Sequence, residues 1–275
     1  MKKLIFEKNK KRRYAYKEEI KIRNNSYGIS NMKINSTLIL KTLENYKKLG
    51  ITYSVVGIRE KDLRIEMDHE VVREYLMFRN KLLEYIFILV DDKAELQCLL
   101  NRENIKEKTF LFFELMKNSM FDGYFETIEN EKKIVKKIID NDDYEILLQF
   151  SRGVNSLFVP FIYKENMDYS NIFYINDLIP GGSIPVKLDI KGERCKKQIT
   201  GKIHDVYFDR IQFEKIIKNT FFYNKMKDCV LDYQYDVEID ENDGFLRNGN
   251  LFMRIVIDSE IEIEKRISVI LQNEG

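Results

Sequence analysis

Three residues in the second half of the chain have the types and spacing that metal-assisted hydrolysis requires. Asp177 is followed by Asp189, and Lys191 comes two positions after the second aspartate. Two carboxylates that lie side by side can hold Mg²⁺, and a neighbouring lysine then helps to position the attacking water. Asp177, Asp189 and Lys191 are therefore the candidate catalytic residues of the sequence.

An acid followed by acid-x-lysine is also the order used by metal-dependent nucleases of the PD-(D/E)xK class. Asn176 stands where that class usually has proline, and Glu145 or Glu165 would supply a further acid. A pattern this short arises readily by chance in a chain rich in lysine and aspartate. A Mg²⁺-dependent nuclease is therefore the alternative function rather than the favoured one.

Strand periodicity around this motif argues against a shared active site. A hairpin that turns through residues 180–183 and pairs Ile179 with Ile184 gathers the apolar side chains of this stretch on one face. Successive side chains of a strand point to opposite faces, so this register places Asp177 and Asp189 on different sides of the sheet. We therefore expect residues 171–192 to form a structural hairpin.

Charge is distributed unevenly along a chain whose net charge is only +1. Residues 1–33 hold eleven Lys/Arg against three Asp/Glu, whereas residues 228–275 hold four against twelve. The basic candidates for nucleic-acid contact are Lys10, Lys11, Arg12, Arg13, Lys17, Lys21 and Arg23. The acidic candidates for partner binding are Asp232, Asp236, Glu238, Glu260, Glu262 and Glu264. This polarity predicts interaction surfaces of opposite sign at the two ends of the sequence.

The favoured function is a non-enzymatic intracellular binding protein that uses an acidic sheet face (228–271) and a basic N-terminal arm (1–33). Its partner would be another protein or a second copy, in which the arm of one copy meets the acidic sheet of the other. Sequence-independent nucleic-acid binding through the basic arm is a further alternative. No cofactor is expected, apart from Mg²⁺ under the nuclease alternative.

Several classes of protein are excluded by composition. The three cysteines are far apart and odd in number, which favours a reducing cytoplasm over a disulfide framework. Two histidines and no C-x-x-C motif leave too few ligands for zinc, so no metal site is expected beyond the Mg²⁺ alternative. The longest apolar runs are far shorter than the roughly 20 residues that span a bilayer, so no membrane partner is expected. Glu7 ends the apolar start too early for a secretory signal.

Hydrophobic periodicity predicts an α+β fold with a small mixed N-terminal unit, a helical middle region and a largely antiparallel β C-terminal half. Helices are predicted at residues 34–49, 68–90, 92–100, 103–120, 126–139, 144–150 and 212–226. Strands are predicted at residues 14–23, 51–58, 63–67, 157–163, 172–178, 184–190, 199–208, 229–240, 251–257 and 261–271. The first strand is interpreted as a solvated edge strand. Residues 1–150 would form an N-terminal lobe and residues 151–275 a C-terminal, mostly antiparallel lobe.

Overall fold

The structure is a computed structural model that describes residues 5–26, 28–68, 70–117, 151–163, 172–175, 178–179, 182–193, 195–223 and 226–272. Its strands are β1 (Lys11–Asn24), β2 (Gly28–Lys48), β3 (Ile51–Met67), β4 (Tyr85–Asp91), β5 (Leu96–Leu99), β6 (Phe173–Ile175), β7 (Ile184–Glu193), β8 (Lys196–Ile203), β9 (Cys229–Ile239), β10 (Leu246–Ile257) and β11 (Ile261–Gln272). Its helices are α1 (Glu70–Leu82), α2 (Arg102–Lys117), α3 (Arg152–Leu157), α4 (Pro160–Tyr163) and α5 (Arg210–Phe221).

All eleven described strands join one sheet in the order β5-β4-β3-β2-β1-β11-β10-β9-β8-β7-β6, and every neighbouring pair is antiparallel. Most neighbours are consecutive in sequence, as short hairpin connections require. The exception is the pair β1 and β11, which brings the two ends of the chain side by side. Segments 1–150 and 151–275 therefore both contribute strands to the same sheet.

The predicted α+β class with a helical middle region is wrong, because strands dominate the described chain. The predicted helix 34–49 is strand β2. Its inward positions include Ser36 and Thr42, which interrupt the apolar alternation and leave Ile34 and Leu38 four residues apart, as on a helix. Two β-bulges in its pairing with β3 add further irregularity.

A second error concerns residues 83–100, which were predicted to be helical. Helix α1 ends at Leu82, and the chain continues as β4 and β5. Ile86, Ile88 and Val90 are fully buried at every second position, which is strand spacing. The run is apolar at nearly every position, so it satisfies the helical and the strand period alike.

Of the other predicted helices and strands, some are confirmed and some are wrong. The helices predicted at 103–120 and 212–226 are confirmed as α2 and α5, and the meander 228–271 is confirmed as β9–β11. The strand predicted at 157–163 is wrong, since α3 and α4 occupy this region. The helices predicted at 126–139 and 144–150 lie outside the described residues. Strand β1 is central rather than an edge strand, because β2 and β11 cover both of its sides.

One face of the sheet, here called the inner face, forms the hydrophobic core. Tyr14, Leu40, Val56, Ile199 and Ile255 of five different strands are fully buried there. Helix α3 lies against this face, and a side chain at Gly153 would collide with Ile58. The opposite, outer face is largely open to solvent. In the part of the chain that the structure describes, no helix has the length and apolar character needed to cross a membrane.

Candidate functional site

Two rows of side chains cross the outer face at right angles to the strands, and are called here the outer rows. Cross-strand register fixes their membership, because residues two apart on each strand share a face. The first outer row consists of Glu66, Lys33, Glu19, Arg266, Phe252, Gln234, Thr200 and Asp189. The second consists of Arg64, Asn35, Lys17, Ser268, Asn250, Asp236, Gln198 and Lys191.

The outer rows run over eight adjacent strands, from β3 to β7. At about 4.8 Å between neighbouring strands, they extend over about 34 Å. Two shallow depressions of about 490 and 500 Å³ lie along them and share Asp236 and Asn250. Every member of the rows is exposed or half-buried. Together the rows form an elongated surface that a linear ligand can reach along its whole length.

The chemistry of the outer rows is mixed rather than acidic or basic. Five members are cationic, four are anionic, six are neutral hydrogen-bonding residues and one is Phe252. The Asp236 carboxylate accepts hydrogen bonds from Gln198 at 3.2 Å and from Gln234 at 2.9 Å. The Arg266 guanidinium lies 5.0 Å from the centre of the Phe252 ring. These contacts order the central side chains while leaving them open to a ligand.

The predicted catalytic residues do not meet in a described site. Asp189 and Lys191 end the two outer rows on β7, where their side chains are 63% and 75% exposed and form an ion pair at 3.3 Å. Asp177, Glu145 and Glu165 lie outside the described residues. Within the described ranges, no group of three or more His, Cys, Asp or Glu side chains is placed to hold a metal ion.

The predicted register of the 171–192 hairpin is also wrong. Ile175, rather than Ile179, lies opposite Ile184, and Phe173 lies opposite Val186. The loop between β6 and β7 is therefore longer than a four-residue turn. Ile179 instead lies in the core, next to Gly182.

The basic arm and the acidic face are neighbours in the same sheet. Arg23 bonds Glu262 at 3.2 Å across the β1–β11 pair, and Lys21 lies opposite Glu264. Arg254 holds Glu262 at 2.5 Å and lies 3.8 Å from Asp232. Its hydrogen bond keeps the pKa of Glu262 below the ordinary value. Part of the sequence polarity is thus compensated within one molecule.

The remaining predicted residues divide between outer and inner positions. Lys11, Arg13 and Glu238 lie on the outer side of their strands, and Glu260 lies in the turn before β11, where it accepts a hydrogen bond from Asn25. Arg12 instead points inward, is 2% exposed and bonds Asp243 at 2.6 Å. Lys10 reaches the same Asp243 carboxylate at 3.4 Å. Arg12 is therefore a core residue and is not accessible to nucleic acid.

A buried ionic cluster lies on the inner face and is formed by Glu18, Glu60, Arg152 and Lys265. Lys265 and Arg152 lie 3.0 and 3.4 Å from the Glu18 carboxylate. Arg152 also lies 3.2 Å from Glu60 and donates to Asn80 at 2.6 Å. The cluster therefore connects helix α3 to β1, β3 and β11.

Charge compensation in this cluster is nearly complete. Burial by itself would raise the pKa of Glu18, but the nearby charges of Lys265 and Arg152 outweigh burial and hold this pKa below the ordinary value. Tyr16 donates a further hydrogen bond to Glu18 at 2.9 Å. Each charged group of the cluster thus faces one of opposite sign, and the ion pairs join helix α3 to the sheet.

The geometry does not support nucleophilic chemistry at Cys229. Burial raises the pKa of the Cys229 thiol to about 12, so this residue remains protonated near neutral pH. The thiolate, not the thiol, is the nucleophile in cysteine catalysis. Cys229 is therefore a packing residue at the start of β9.

Comparisons with known proteins identify no family. No family model and no curated protein matches the chain. Among solved structures, it is similar to lipovitellin, studied for lipid–protein interactions, with a TM-score of 0.43, 11% identity, and coverage of 98% of this chain but 26% of that one. It is also similar to a putative exported protein with a YmcC-like fold from Bacteroides fragilis, with a TM-score of 0.26, 7% identity, and coverage of 98% and 97%.

A third solved structure is DynF from the dynemicin biosynthesis pathway of Micromonospora chersina. Its TM-score is 0.22 and its identity is 6%, with coverage of 96% of this chain and 81% of that one. These TM-scores all lie below 0.5, so the likenesses carry no argument about fold or function. The function of the chain has to be inferred from its own surfaces.

Proposed function

We propose that the chain is a non-enzymatic intracellular binding protein whose outer rows hold an extended segment of a protein partner. The observation that supports this most directly is the pair of outer rows itself, which crosses eight strands in continuous register. An extended polypeptide rises about 3.4 Å per residue, so a surface of about 34 Å accommodates about ten residues.

The side chains of the outer rows match what a polypeptide offers. The neutral members, such as Asn250, Gln198 and Ser268, donate and accept hydrogen bonds, as a peptide backbone requires. Phe252 supplies an aromatic platform near the middle, and aromatic and arginine side chains commonly carry most of the affinity at such interfaces. The charged members lie both at the ends of the rows and on their central strands, and they provide partner selectivity more than affinity.

Nucleic acid is a less suitable ligand for this surface. Binding to phosphates depends on clustered cations, whose affinity comes largely from the release of counterions. In the outer rows, Glu19 lies opposite both Lys33 and Arg266, and Asp236 lies close to the centre. These carboxylates would repel a phosphate backbone, so a polypeptide is favoured over single-stranded nucleic acid.

The nuclease alternative has less geometric support. Asp189 and Lys191 pair with each other on an open surface, and burial does not help them to bind a metal.

The proposal that the protein is intracellular is supported by its cysteines. Cys98, Cys195 and Cys229 are free thiols, as a reducing compartment favours.

The binding proposal is tested by selecting peptides from a random twelve-residue display library on the full chain and measuring their affinity by fluorescence anisotropy. We expect Phe252→Ala to weaken the selected peptides by about tenfold or more, as loss of a central aromatic contact usually does. Tyr174→Ala is the matched control, because Tyr174 is 43% exposed on β6 and lies off the outer rows. It should leave the affinity unchanged.

Two results would overturn the proposal. One is a library that yields no specific binder to the wild-type chain. The other is a set of peptides that bind Phe252→Ala as tightly as wild type, or that are displaced completely by single-stranded oligonucleotides.

A further inference from the structure

Two further rows of side chains, here called the aromatic–cation rows, cross the outer face on strands β1–β4. The first consists of Tyr85, Arg59, Ile39 and Arg13, which lie opposite one another from β4 to β1. Arg59 and Arg13 are exposed, whereas Ile39 between them is only 8% exposed. Because long cationic side chains cover apolar neighbours while their charged heads stay in water, this row presents two guanidinium groups and little aliphatic surface.

The second row lies two residues further along the strands and consists of Phe87, Gly57, Lys41 and Lys11. Lys41 and Lys11 are both exposed and lie directly opposite each other. Like charges in this arrangement destabilise a sheet. Among the residues that the structure describes, neither lysine has an acidic group within 4 Å. The stability of the fold therefore does not explain this pair of lysines.

The aromatic rings of both rows lie close to the cations. A Cβ atom at Gly57 would lie 3.4 Å from the Tyr85 hydroxyl and 3.5 Å from the Phe87 ring, so both side chains of β4 reach over β3 at this glycine. Lys41 lies opposite the same glycine on β2. The two ring centres are 4.5 Å apart in an edge-on arrangement, and Tyr85 is 38% exposed. The rows therefore offer solvent-accessible aromatic surface beside their cations.

The strands that carry these rows are strongly basic at their surface. In β1–β3, twelve lysine and arginine residues are exposed or half-buried, against the four acids Glu19, Glu44, Asp62 and Glu66. Neither aromatic–cation row contains an acid.

One carboxylate outside the rows contacts them. Glu84, which precedes β4, lies 3.0 Å from Arg59, and the two side chains are 41% and 46% exposed. An ion pair this exposed contributes little to stability. A phosphate group can therefore take the place of Glu84 at the Arg59 guanidinium.

We infer that the aromatic–cation rows bind single-stranded nucleic acid without sequence preference. The four cations of the rows contact phosphates, and the exposed rings stack on unpaired bases, as in other proteins that bind single strands. Stacking is tolerant of sequence because every base has an aromatic face. From β1 to β4 the rows extend over about 14 Å. This inference goes beyond the proposed function and concerns a different part of the outer face.

The aromatic–cation rows lack the feature that makes the outer rows unsuitable for nucleic acid. Glu19 and Asp236 lie within the outer rows, where they would repel a phosphate backbone. The aromatic–cation rows contain two of the basic residues that the sequence suggests for nucleic-acid contact, Lys11 and Arg13. Their other cations and both aromatic rings come from β2, β3 and β4, and only strand pairing brings them together.

Other anionic partners fit these rows less well. A lipid surface would meet the cations but few apolar side chains able to insert, because Ile39 is covered and Gly57 has no side chain. A nucleic-acid duplex keeps its bases stacked on one another, so the rings of Tyr85 and Phe87 would gain no partner. An acidic polypeptide would satisfy the cations alone.

The inference is tested with the full chain and a fluorescein-labelled oligothymidylate of about 20 nucleotides, whose binding is measured by fluorescence anisotropy. Four phosphate contacts predict that the logarithm of the binding constant falls with the logarithm of salt concentration with a slope of about −2.8. Unlabelled duplex DNA and polyglutamate of similar length should compete poorly. No binding of oligothymidylate at low salt, or equal competition by the duplex or by polyglutamate, would overturn the inference.

Three variants locate the site. Lys11→Gln with Lys41→Gln should weaken binding by about tenfold at low salt and reduce the magnitude of the salt slope by about 1.4, since two phosphate contacts are lost. Tyr85→Ala should weaken binding by about fivefold or more without changing the slope, because stacking is not ionic. Lys215→Gln with Lys218→Gln is the matched control, because both lysines are exposed on α5 and lie outside the rows. It should change neither the affinity nor the slope.

Thermal unfolding separates loss of binding from loss of fold. Replacing the opposed Lys11 and Lys41 should not lower the unfolding temperature, since it removes a like-charge pair. Equal losses of affinity in the two lysine double variants, or a salt slope that is unchanged in Lys11→Gln with Lys41→Gln, would overturn the inference.

Discussion

Glu18 is the residue on which the inner ionic cluster depends most, because it neutralises Lys265 and part of Arg152 in a buried setting. We expect Glu18→Gln to lower the free energy of unfolding by about 3 kcal/mol, since it leaves buried cations without their counter-charge. Glu19→Gln is the matched control on the outer side of the same strand and should change stability by less than about 0.5 kcal/mol. Urea denaturation of both variants would measure the difference. Equal effects would show that the cluster is not stabilising.

The same carboxylate should give stability a specific pH dependence. The pKa of Glu18 is lower in the folded protein than its ordinary value of 4.5. Its contribution is therefore fully present above that value and is lost as pH falls through the lower folded pKa. We expect wild type to lose more stability than Glu18→Gln on acidification below about pH 4.5, as measured by urea denaturation at several pH values. Parallel pH profiles for the two proteins would contradict this expectation.

Part of the cluster is visible in the sequence, although its purpose is not. Glu18 interrupts the apolar face of β1, and Lys265 occupies an inward position after Ile261 and Ile263. A charged residue at an apolar position predicts either a misassigned face or a buried partner. The partner here includes Arg152, which is contributed by a distant helix, and local periodicity carries no information about such a contact.

At the scale of elements, the close approach of helix α3 to strand β3 depends on a glycine. A Cβ atom at Gly153 would lie 2.5 Å from Cγ2 of Ile58. We expect Gly153→Ala to cost about 2 kcal/mol in the wild-type background through overpacking. In an Ile58→Ala background the same change should cost little, because the colliding methyl group is absent. A double-mutant cycle by thermal or urea unfolding measures this coupling, and strictly additive effects would contradict the packing described.

Elements with uninterrupted alternation could be predicted from the sequence, and those with mixed signals could not. Strand β9 alternates apolar and polar residues throughout, so both its type and its buried face follow from the pattern. Strand β2 carries the inward polar residues Ser36 and Thr42 and is distorted by bulges. The apolar residues that remain are therefore spaced as on a helix. Strand β4 is apolar on both faces, so hydrophobic periodicity alone could not distinguish a strand from a helix there.

At the scale of the whole molecule, the opposite charges of the two chain ends meet in the sheet. Strand β1 lies against β11, which brings Arg23 to Glu262 and Lys21 to Glu264. These pairs compensate part of the sequence polarity within one copy. The outer rows also depend on pairing between strands that are distant in sequence, since they are formed by the combined register of eight strands. Such long-range pairing cannot be deduced from sequence periodicity, which reports the face of a residue but not its neighbours.

Photo-crosslinking with a bound peptide would show directly whether the outer rows hold a polypeptide. A selected peptide carrying a benzophenone side chain is irradiated with the full chain, and the attachment sites are mapped by mass spectrometry. We expect crosslinks on outer-row residues of β1, β9, β10 and β11, such as Lys17, Gln234 and Phe252. Crosslinks confined to helix α5 or to the tip of the β2–β3 hairpin would contradict the claim.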